Sequence, residues 1–122
     1  MTDALQSCVG RRIVSMRIAE NRLYMRCEGQ MTLIIWDDAR SCCETRYMYT
    51  ADNLQYFEGA VLMNCSVRRG RVVPLDEDQD EVNDVMFVNI ETSKGVCTIE
   101  THNDHNGYYG GFCLEYQVVT EA

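Results

Sequence analysis

The sequence predicts a mainly β (α+β) fold: an antiparallel, strongly curved sheet or sandwich of about eight short strands with one short helix. Three observations support this prediction. Apolar and polar residues alternate with a period of two in several runs, short turns separate neighbouring runs, and one segment alone has convincing helix signals. The chain has 122 residues, and we expect residues 1–122 to form a single domain.

The first three runs predict two consecutive hairpins. They cover residues 12–19, 22–28 and 31–37, and Glu20-Asn21 and Gly29-Gln30 form the turns. In the first run Val14, Met16 and Ile18 alternate with polar residues. The third run is apolar on both faces, so we expect its strand to be covered on both sides and central in its sheet.

The middle of the chain contains the predicted helix. A short strand is predicted at residues 45–49. Thr50 can cap a helix over residues 52–58, which Gly59 then ends. A strand is predicted at residues 60–67, and a turn of helix is compatible with residues 2–8.

The acidic segment at about residues 75–84 is the clearest break in composition, and it begins just after the only proline, Pro74. Its like charges repel, so we interpret it as a solvated, mobile loop between strands. Three further strands are predicted at residues 85–92, 96–101 and 108–119, with a loop at 102–107 before the last one. Sheets of this kind leave edge strands that must be covered, and we therefore expect a homo-oligomer.

Composition limits the classes of function. The formal net charge of −8 argues against a DNA-binding surface, because phosphate contacts need clustered cations. Ten of the eleven basic residues are Arg, the side chain that suits carboxylates and phosphates. No run approaches the ~18 apolar residues of a membrane span, so no membrane contact is expected.

The seven cysteines indicate a reducing environment. Their number is odd, they are scattered among strand-like runs, and no signal-peptide pattern opens the chain. Free Cys in such runs behaves as a small buried hydrophobe. We therefore expect a cytoplasmic protein.

The segment Ser41-Cys42-Cys43-Glu44 is the first candidate for chemistry. One of its cysteines could bind zinc together with His102 and His105, but the paired ligand signature of a zinc site is missing. Structural packing of the cysteines is the favoured interpretation, and neither a metal nor a cofactor is predicted. Cys43, His105 and Glu44 can be drawn as a catalytic set, yet the sequence contains no catalytic motif. We expect a protein that binds and does not catalyse.

Residues 102–111 are the second candidate. Asn106-Gly107 suits a tight turn, whereas Tyr108 and Tyr109 beside two glycines suit stacking on a ligand that approaches the backbone. The third candidate, Arg68-Arg69-Gly70-Arg71, places three cations around a predicted turn. It is either a solvated basic turn that pairs with the acidic segment or a clamp for an anion.

Several of these motifs together resemble a family of small uncharacterised proteins encoded mostly by tailed bacteriophages. Val9-Gly10-Arg11-Arg12-Ile13 matches the family's opening strand, and Asn106-Gly107-Tyr108-Tyr109 matches its late hairpin. The family's central Asp-Cys-Cys-Glu is present with Ser41 in place of the Asp. The resemblance implies a phage-like origin and no particular activity, and small phage proteins without catalytic residues often act by binding.

The resulting functional hypothesis is a non-enzymatic phage counter-defence protein. It would bind and sequester a small nucleotide-type immune signal in the cytoplasm of the bacterial host. The candidate ligand-binding residues are Arg40, Glu44, Arg46, Asn106, Tyr108 and Tyr109, with Arg on phosphate and Tyr stacked on a base. The alternatives are an acidic protein–protein inhibitor of a host defence complex, which could mimic nucleic acid, and a phage accessory protein without a defined ligand.

Overall fold

The computed structural model describes residues 3–39, 44–75, 82–105 and 111–121. They contain α1 (Asp3–Cys8), a 3-10 turn (Leu54–Phe57) and the strands β1 (Ile13–Ala19), β2 (Arg22–Cys27), β3 (Met31–Asp37), β4 (Thr45–Tyr49), β5 (Leu62–Pro74), β6 (Val82–Thr92), β7 (Gly95–His105) and β8 (Leu114–Thr120). The strands form two antiparallel four-stranded sheets. The first sheet has the order β1-β2-β3-β8 and the second sheet has the order β4-β7-β6-β5. The predicted mainly β, antiparallel fold is confirmed.

One hydrophobic core lies between the two sheets. Met25, Leu33 and Ile35 of the first sheet join Ile90 and Ile99 of the second sheet in a single buried cluster. We call the side of the second sheet that faces this core its inner face and the opposite side its outer face. Side chains alternate between the two faces along each strand, and Val88 and Ile90 of β6 and Cys97 and Ile99 of β7 contribute to the core.

The first sheet follows the sequence pattern closely. Both hairpin turns place residues at positive φ, and β3 pairs with β2 on one side and with β8 on the other, in the predicted central position. Its second apolar face, with Ile34 and Trp36, is only partly buried and not fully covered as expected. The pattern fails at one residue. A register shift between Ile13 and Ser15 leaves Val14 47% exposed, because the extra residue of a bulge breaks the alternation of faces.

The predicted helix at residues 52–58 is only a 3-10 turn. Asn53 provides its N-cap by accepting a hydrogen bond from Gln55 N, whereas Thr50 donates its hydroxyl hydrogen to Thr98 O on β7. Gly59 ends the turn at φ 88° and its N–H donates to Ile13 O. Because both ends of this short segment are held by strands, a full α-helix does not form. The turn of helix considered at residues 2–8 is present as α1.

Three strands of the second sheet are longer than predicted. β5 continues to Pro74, β6 begins at Val82 and β7 runs to His105, so residues expected in loops at 82–84 and 102–105 belong to the sheet. Their polar side chains resemble a loop in composition, yet they pair with one another across the strands. The rest of the predicted acidic loop, residues 76–81, lies outside the described residues.

Candidate functional site

The structure describes two of the six predicted ligand-binding residues. Glu44 lies just before β4 and Arg46 within it, and their side chains contact each other. The other four, Arg40, Asn106, Tyr108 and Tyr109, lie outside the described residues, as do Cys42 and Cys43. Predictions that concern these positions remain predictions.

Arg46 is the centre of a buried ion cluster. Its Nε and Nη2 donate to the two carboxylate oxygens of Glu44 at 2.7 and 2.8 Å, and its Nη1 donates to Asp37 Oδ2 at 2.6 Å and to Gly111 O at 2.9 Å. The Arg46 side chain is 15% exposed and each carboxylate side chain 5%. Burial lowers the pKa of Arg46, but hydrogen bonds and charges from Glu44 and Asp37 outweigh it and raise the pKa above its ordinary value.

This cluster joins the two sheets, since Asp37 ends β3 and Arg46 lies on β4. Asp37 was predicted as the last residue of the third strand, and its part in the cluster was not predicted. A phosphate could reach Arg46 only in competition with two carboxylates that already bind it. The Arg46–phosphate contact stays a prediction, and the observed hydrogen bonds give Arg46 a structural role.

A row of polar residues continues from Arg46 across the inner face of the second sheet. Arg46 lies opposite Asn103, and Asn103 lies opposite Asp84. Asn103 is fully buried, and among the described residues neither atom of its amide has a hydrogen-bond partner. The same holds for Thr101 Oγ1 and Asp84 Oδ1. The other Asp84 oxygen, Oδ2, accepts from Arg69 Nη2 at 3.2 Å.

The cavity beside this row is small. It has a volume of about 20 Å³ and is lined by Asn21, Asp37, Arg46, Tyr47, Met48 and Thr101. A cavity of this size holds a single water molecule, for which the Thr101 hydroxyl is a suitable partner. It is too small for a nucleotide.

A much larger hollow opens over β5 and its neighbour β6. It has a volume of about 460 Å³ and is lined by Arg68, Arg69, Gly70, Val73, Val85 and Phe87. We call it the bulge hollow, because a register shift between Arg69 and Val72 interrupts the β5–β6 ladder at this point. The turn predicted at Arg68-Arg69-Gly70-Arg71 is therefore wrong: the four residues belong to a long strand that bulges.

Two features shape the bulge hollow. The Arg68 guanidinium carbon lies 4.6 Å from the centre of the Phe87 ring, within the range of a cation–π contact. A Cβ atom at Gly70 would lie 2.5 Å from Val85 Cγ1 and 2.8 Å from Val85 O. Only glycine fits there without displacing the neighbouring strand, so the hollow depends on this residue.

A hydrogen-bonded chain lies beside the hollow on the outer face of the second sheet. Asn83 Nδ2 donates to Asp104 Oδ1 at 2.6 Å and lies 3.1 Å from His102 Nδ1, while His102 Nε2 lies 3.0 Å from Glu100 Oε1. These contacts suit a neutral imidazole that accepts at Nδ1 and donates at Nε2. The Tyr47 ring stacks on His102 with centres 4.6 Å apart.

This chain was not predicted, because residues 102–107 were assigned to a loop. The placement also bears on the zinc hypothesis. His102 lies on the outer face of β7 and His105 on its buried inner face, since three residues along a strand reverse the side-chain direction. The two imidazoles therefore do not converge on one ion. The described residues contain no group of three or more His, Cys, Asp or Glu side chains that could hold a metal.

Buried thiols are a further feature of the core. Five cysteines of the described residues are free thiols: Cys8, Cys27 and Cys97 are buried, Cys65 is partly buried and Cys113 is exposed. Burial raises the pKa of Cys27 and of Cys97 to about 12, and that of Cys65 to about 11. Thiols with pKa values this high stay protonated and unreactive near neutral pH, in agreement with a packing role.

In the described ranges, neither helix has the length and apolar character needed to cross a bilayer.

Comparison with known proteins gives one match. A family model described as Domain of unknown function (DUF7448) matches residues 6–114, a range that includes β1 to β7 and the whole bulge hollow. No curated protein and no solved structure matches the chain. The chain therefore belongs to the family described as Domain of unknown function (DUF7448).

Proposed function

We propose that this protein is a non-enzymatic binding protein that sequesters a small nucleotide-type ligand in the bulge hollow. The observation that carries the proposal is the contact between Arg68 and Phe87 at the wall of a hollow of about 460 Å³. Guanidinium groups bind phosphate, aromatic rings stack on bases, and small-molecule sites have volumes of about 300–1,000 Å³.

The bulge hollow supports this function better than the region around Glu44 and Arg46. The Arg46 guanidinium already donates to two carboxylates and a carbonyl, and its cavity holds about 20 Å³. The Arg68 side chain forms no hydrogen bond or ion pair within the part of the chain that the structure describes, so its guanidinium N–H groups are available to an anion. Arg69 lines the same hollow with its side chain 65% exposed.

The side chains around the hollow also favour binding over catalysis. They are Arg, Val and Phe, together with the backbone of Gly70. Arginine stays protonated at all ordinary pH values, and the other side chains cannot act as a nucleophile or a general base. These groups hold and orient a ligand, which is all that sequestration requires.

The biological setting is part of the proposal and rests on the motif resemblance alone. If the chain derives from a tailed phage, the ligand is a nucleotide-type immune signal and the protein acts in the cytoplasm of the host.

We also propose that the protein is a homo-oligomer. β5 is an edge strand with three half-exposed valines, Val67, Val72 and Val73, and an unpaired strand edge favours pairing with a second chain.

The test is a binding screen. Thermal shifts are measured against a panel of nucleoside monophosphates, cyclic di- and trinucleotides and cyclic ADP-ribose isomers. A true ligand at 100 times its Kd adds about 2.7 kcal/mol to the stability of the folded state and raises Tm by several degrees. Arg68→Gln should weaken binding of that ligand tenfold or more.

Arg17→Gln is the matched control. Arg17 makes the same contact with an aromatic ring, 4.6 Å from the centre of Tyr24, but on the first sheet. Its loss should leave ligand binding unchanged. If no member of the panel shifts Tm, or if Arg17→Gln and Arg68→Gln weaken binding equally, the proposed function is wrong.

A further inference from the structure

Four side chains line up across the outer face of the second sheet and lead into the bulge hollow. Tyr49 pairs with Glu100, Glu100 pairs with Phe87, and Phe87 pairs with Arg68. Directly opposed residues of antiparallel strands share a face of the sheet, so the four form one continuous row. We call it the recognition row. It contains, in order, an aromatic ring, a carboxylate, a second aromatic ring and a guanidinium.

The spacing of the row suits a planar base. Neighbouring strands lie about 4.8 Å apart, so the backbones at Tyr49 and Phe87 are separated by about 10 Å, with Glu100 between them. Tyr49 is 52% exposed and the Glu100 side chain is 28% exposed. A base above Glu100 would have an aromatic side chain on either side. Arg68 lies beyond Phe87, at the phosphate end that the proposed function requires.

The carboxylate in the row is held in place from one side. Glu100 Oε1 lies 3.0 Å from His102 Nε2, and His102 Nδ1 lies 3.1 Å from the Asn83 amide nitrogen. Stacking of Tyr47 on the imidazole fixes the plane of the ring. The hydrogen bonds leave Glu100 Oε2 without a donor among the described residues. His102 is therefore a positioning residue for a carboxylate that still has acceptor capacity.

We propose that the recognition row selects a guanine-type base, with Glu100 as the residue that reads it. This inference rests on the proposed function. An ionised carboxylate only accepts hydrogen bonds. Guanine presents two adjacent N–H donors, N1–H and the 2-amino group, which match the two oxygens of a carboxylate. Adenine presents a donor next to an acceptor on the corresponding edge, and that acceptor faces carboxylate lone pairs.

The experiment is calorimetric titration of the full chain with GMP, IMP and AMP. The expected order of affinity is GMP, then IMP, which lacks the 2-amino group, then AMP. A bidentate contact of this kind discriminates between bases by about tenfold or more. In Glu100→Gln the preference for GMP over AMP should fall to about threefold or less, because an amide offers one donor and one acceptor. In Arg68→Gln all three should bind more weakly while their order remains.

Glu91→Gln is the matched control. This carboxylate lies on β6 of the same sheet and accepts from Asn64 at 3.0 Å, away from the row. It should change neither affinity nor order. Equal affinities for GMP and AMP in the wild type, or an unchanged preference in Glu100→Gln, would overturn the inference while the proposed function stands. Absence of binding for these probes and for every ligand of the wider screen would overturn both.

His102→Leu separates positioning from mere folding. It removes the donor to Glu100 Oε1 and leaves Arg68 and Phe87 intact. The preference for GMP over AMP should decrease several-fold while the affinity for AMP stays within about twofold of wild type, since a several-fold change corresponds to one ordinary hydrogen bond. If His102→Leu weakened the binding of both nucleotides equally, His102 would support only the fold of the sheet. The assignment of His102 as a positioning residue for Glu100 would then be wrong.

Discussion

Arg46 and Asp37 form an ion pair between the two sheets, with Arg46 Nη1 2.6 Å from Asp37 Oδ2. Both side chains are largely buried, and Glu44 adds a second carboxylate to the same guanidinium. Removal of the cation would leave two buried carboxylates without a counter-charge. The cluster is therefore expected to matter for stability far more than any ion pair on the surface.

We predict that Arg46→Met lowers the free energy of unfolding by about 3–5 kcal/mol, the usual cost of breaking a buried ion pair. Urea denaturation followed by circular dichroism measures the change. Glu28→Gln is the control, because it breaks an exposed pair with Arg12 and should cost no more than about 1 kcal/mol. If Arg46→Met does not fold, Asp37→Asn keeps the shape and should still cost more than the control. Equal losses at the two sites would contradict the prediction.

Gly70→Ala should distort the bulge. The new Cβ would meet Val85 Cγ1 at 2.5 Å and Val85 O at 2.8 Å, and the backbone oxygen cannot move aside cheaply. We expect a loss of about 1–3 kcal/mol in the free energy of unfolding, as for other overpacked sites. Val85→Ala relieves only the side-chain contact, so the double variant should lose less than the sum of the single losses. Additive losses would show that residues 70 and 85 do not collide.

At the buried amide of Asn103 we expect a substitution to raise, and not to lower, the free energy of unfolding. Asn103 is fully buried, and among the described residues neither of its amide atoms has a hydrogen-bond partner; such a group costs about 1–3 kcal/mol in lost hydration. We predict that Asn103→Leu raises the free energy of unfolding by about 1–2 kcal/mol, measured by urea denaturation. Asn83→Leu, which removes hydrogen bonds to Asp104 and His102, should lower it. A loss in Asn103→Leu would mean that the amide has a bound partner such as water.

The alternation of apolar and polar residues was sufficient to predict strands that pack one face on the core. Residues 31–37 and 45–49 were predicted with the bounds that β3 and β4 have. The same alternation failed to predict strands where polar side chains lie inside a sheet. Asn83 and Asp104 look like loop residues in the sequence, yet they bond each other across β6 and β7. Only the pairing of distant strands gives them their partners, and alternation along one strand cannot reveal that.

The candidate site, too, could be predicted from the sequence only in part. Glu44 and Arg46 lie two residues apart in the chain, so their proximity could be anticipated from sequence. The bulge hollow could not, because three cations around a glycine have the composition of a turn. Phe87, which completes the hollow, is separated from Arg68 by nineteen positions and reaches it only through the β5–β6 register. Long-range pairing, and not residue type, creates the site.

The raised pKa values of the buried thiols predict how the free energy of unfolding changes at alkaline pH. Cys97 is fully buried, and burial, assisted by the charge of Asp52, raises its pKa from 9.0 to about 12. Above pH 9 the unfolded chain loses this proton and the folded protein keeps it, so the free energy of unfolding falls as pH rises. The contribution is complete below pH 9 and is lost as pH rises towards 12. Each such thiol contributes a slope of up to about 1.4 kcal/mol per pH unit within this window.

We expect the free energy of unfolding, measured by urea denaturation between pH 8 and 11, to decrease steadily above pH 9. Cys97→Ala should start from a lower stability and show a shallower decrease, since one titrating group is gone. Val88→Ala removes a buried side chain that does not titrate, so it should lower stability at every pH and keep the wild-type slope. An identical slope in Cys97→Ala and Val88→Ala would show that the Cys97 thiol ionises in the folded protein as readily as in the unfolded chain.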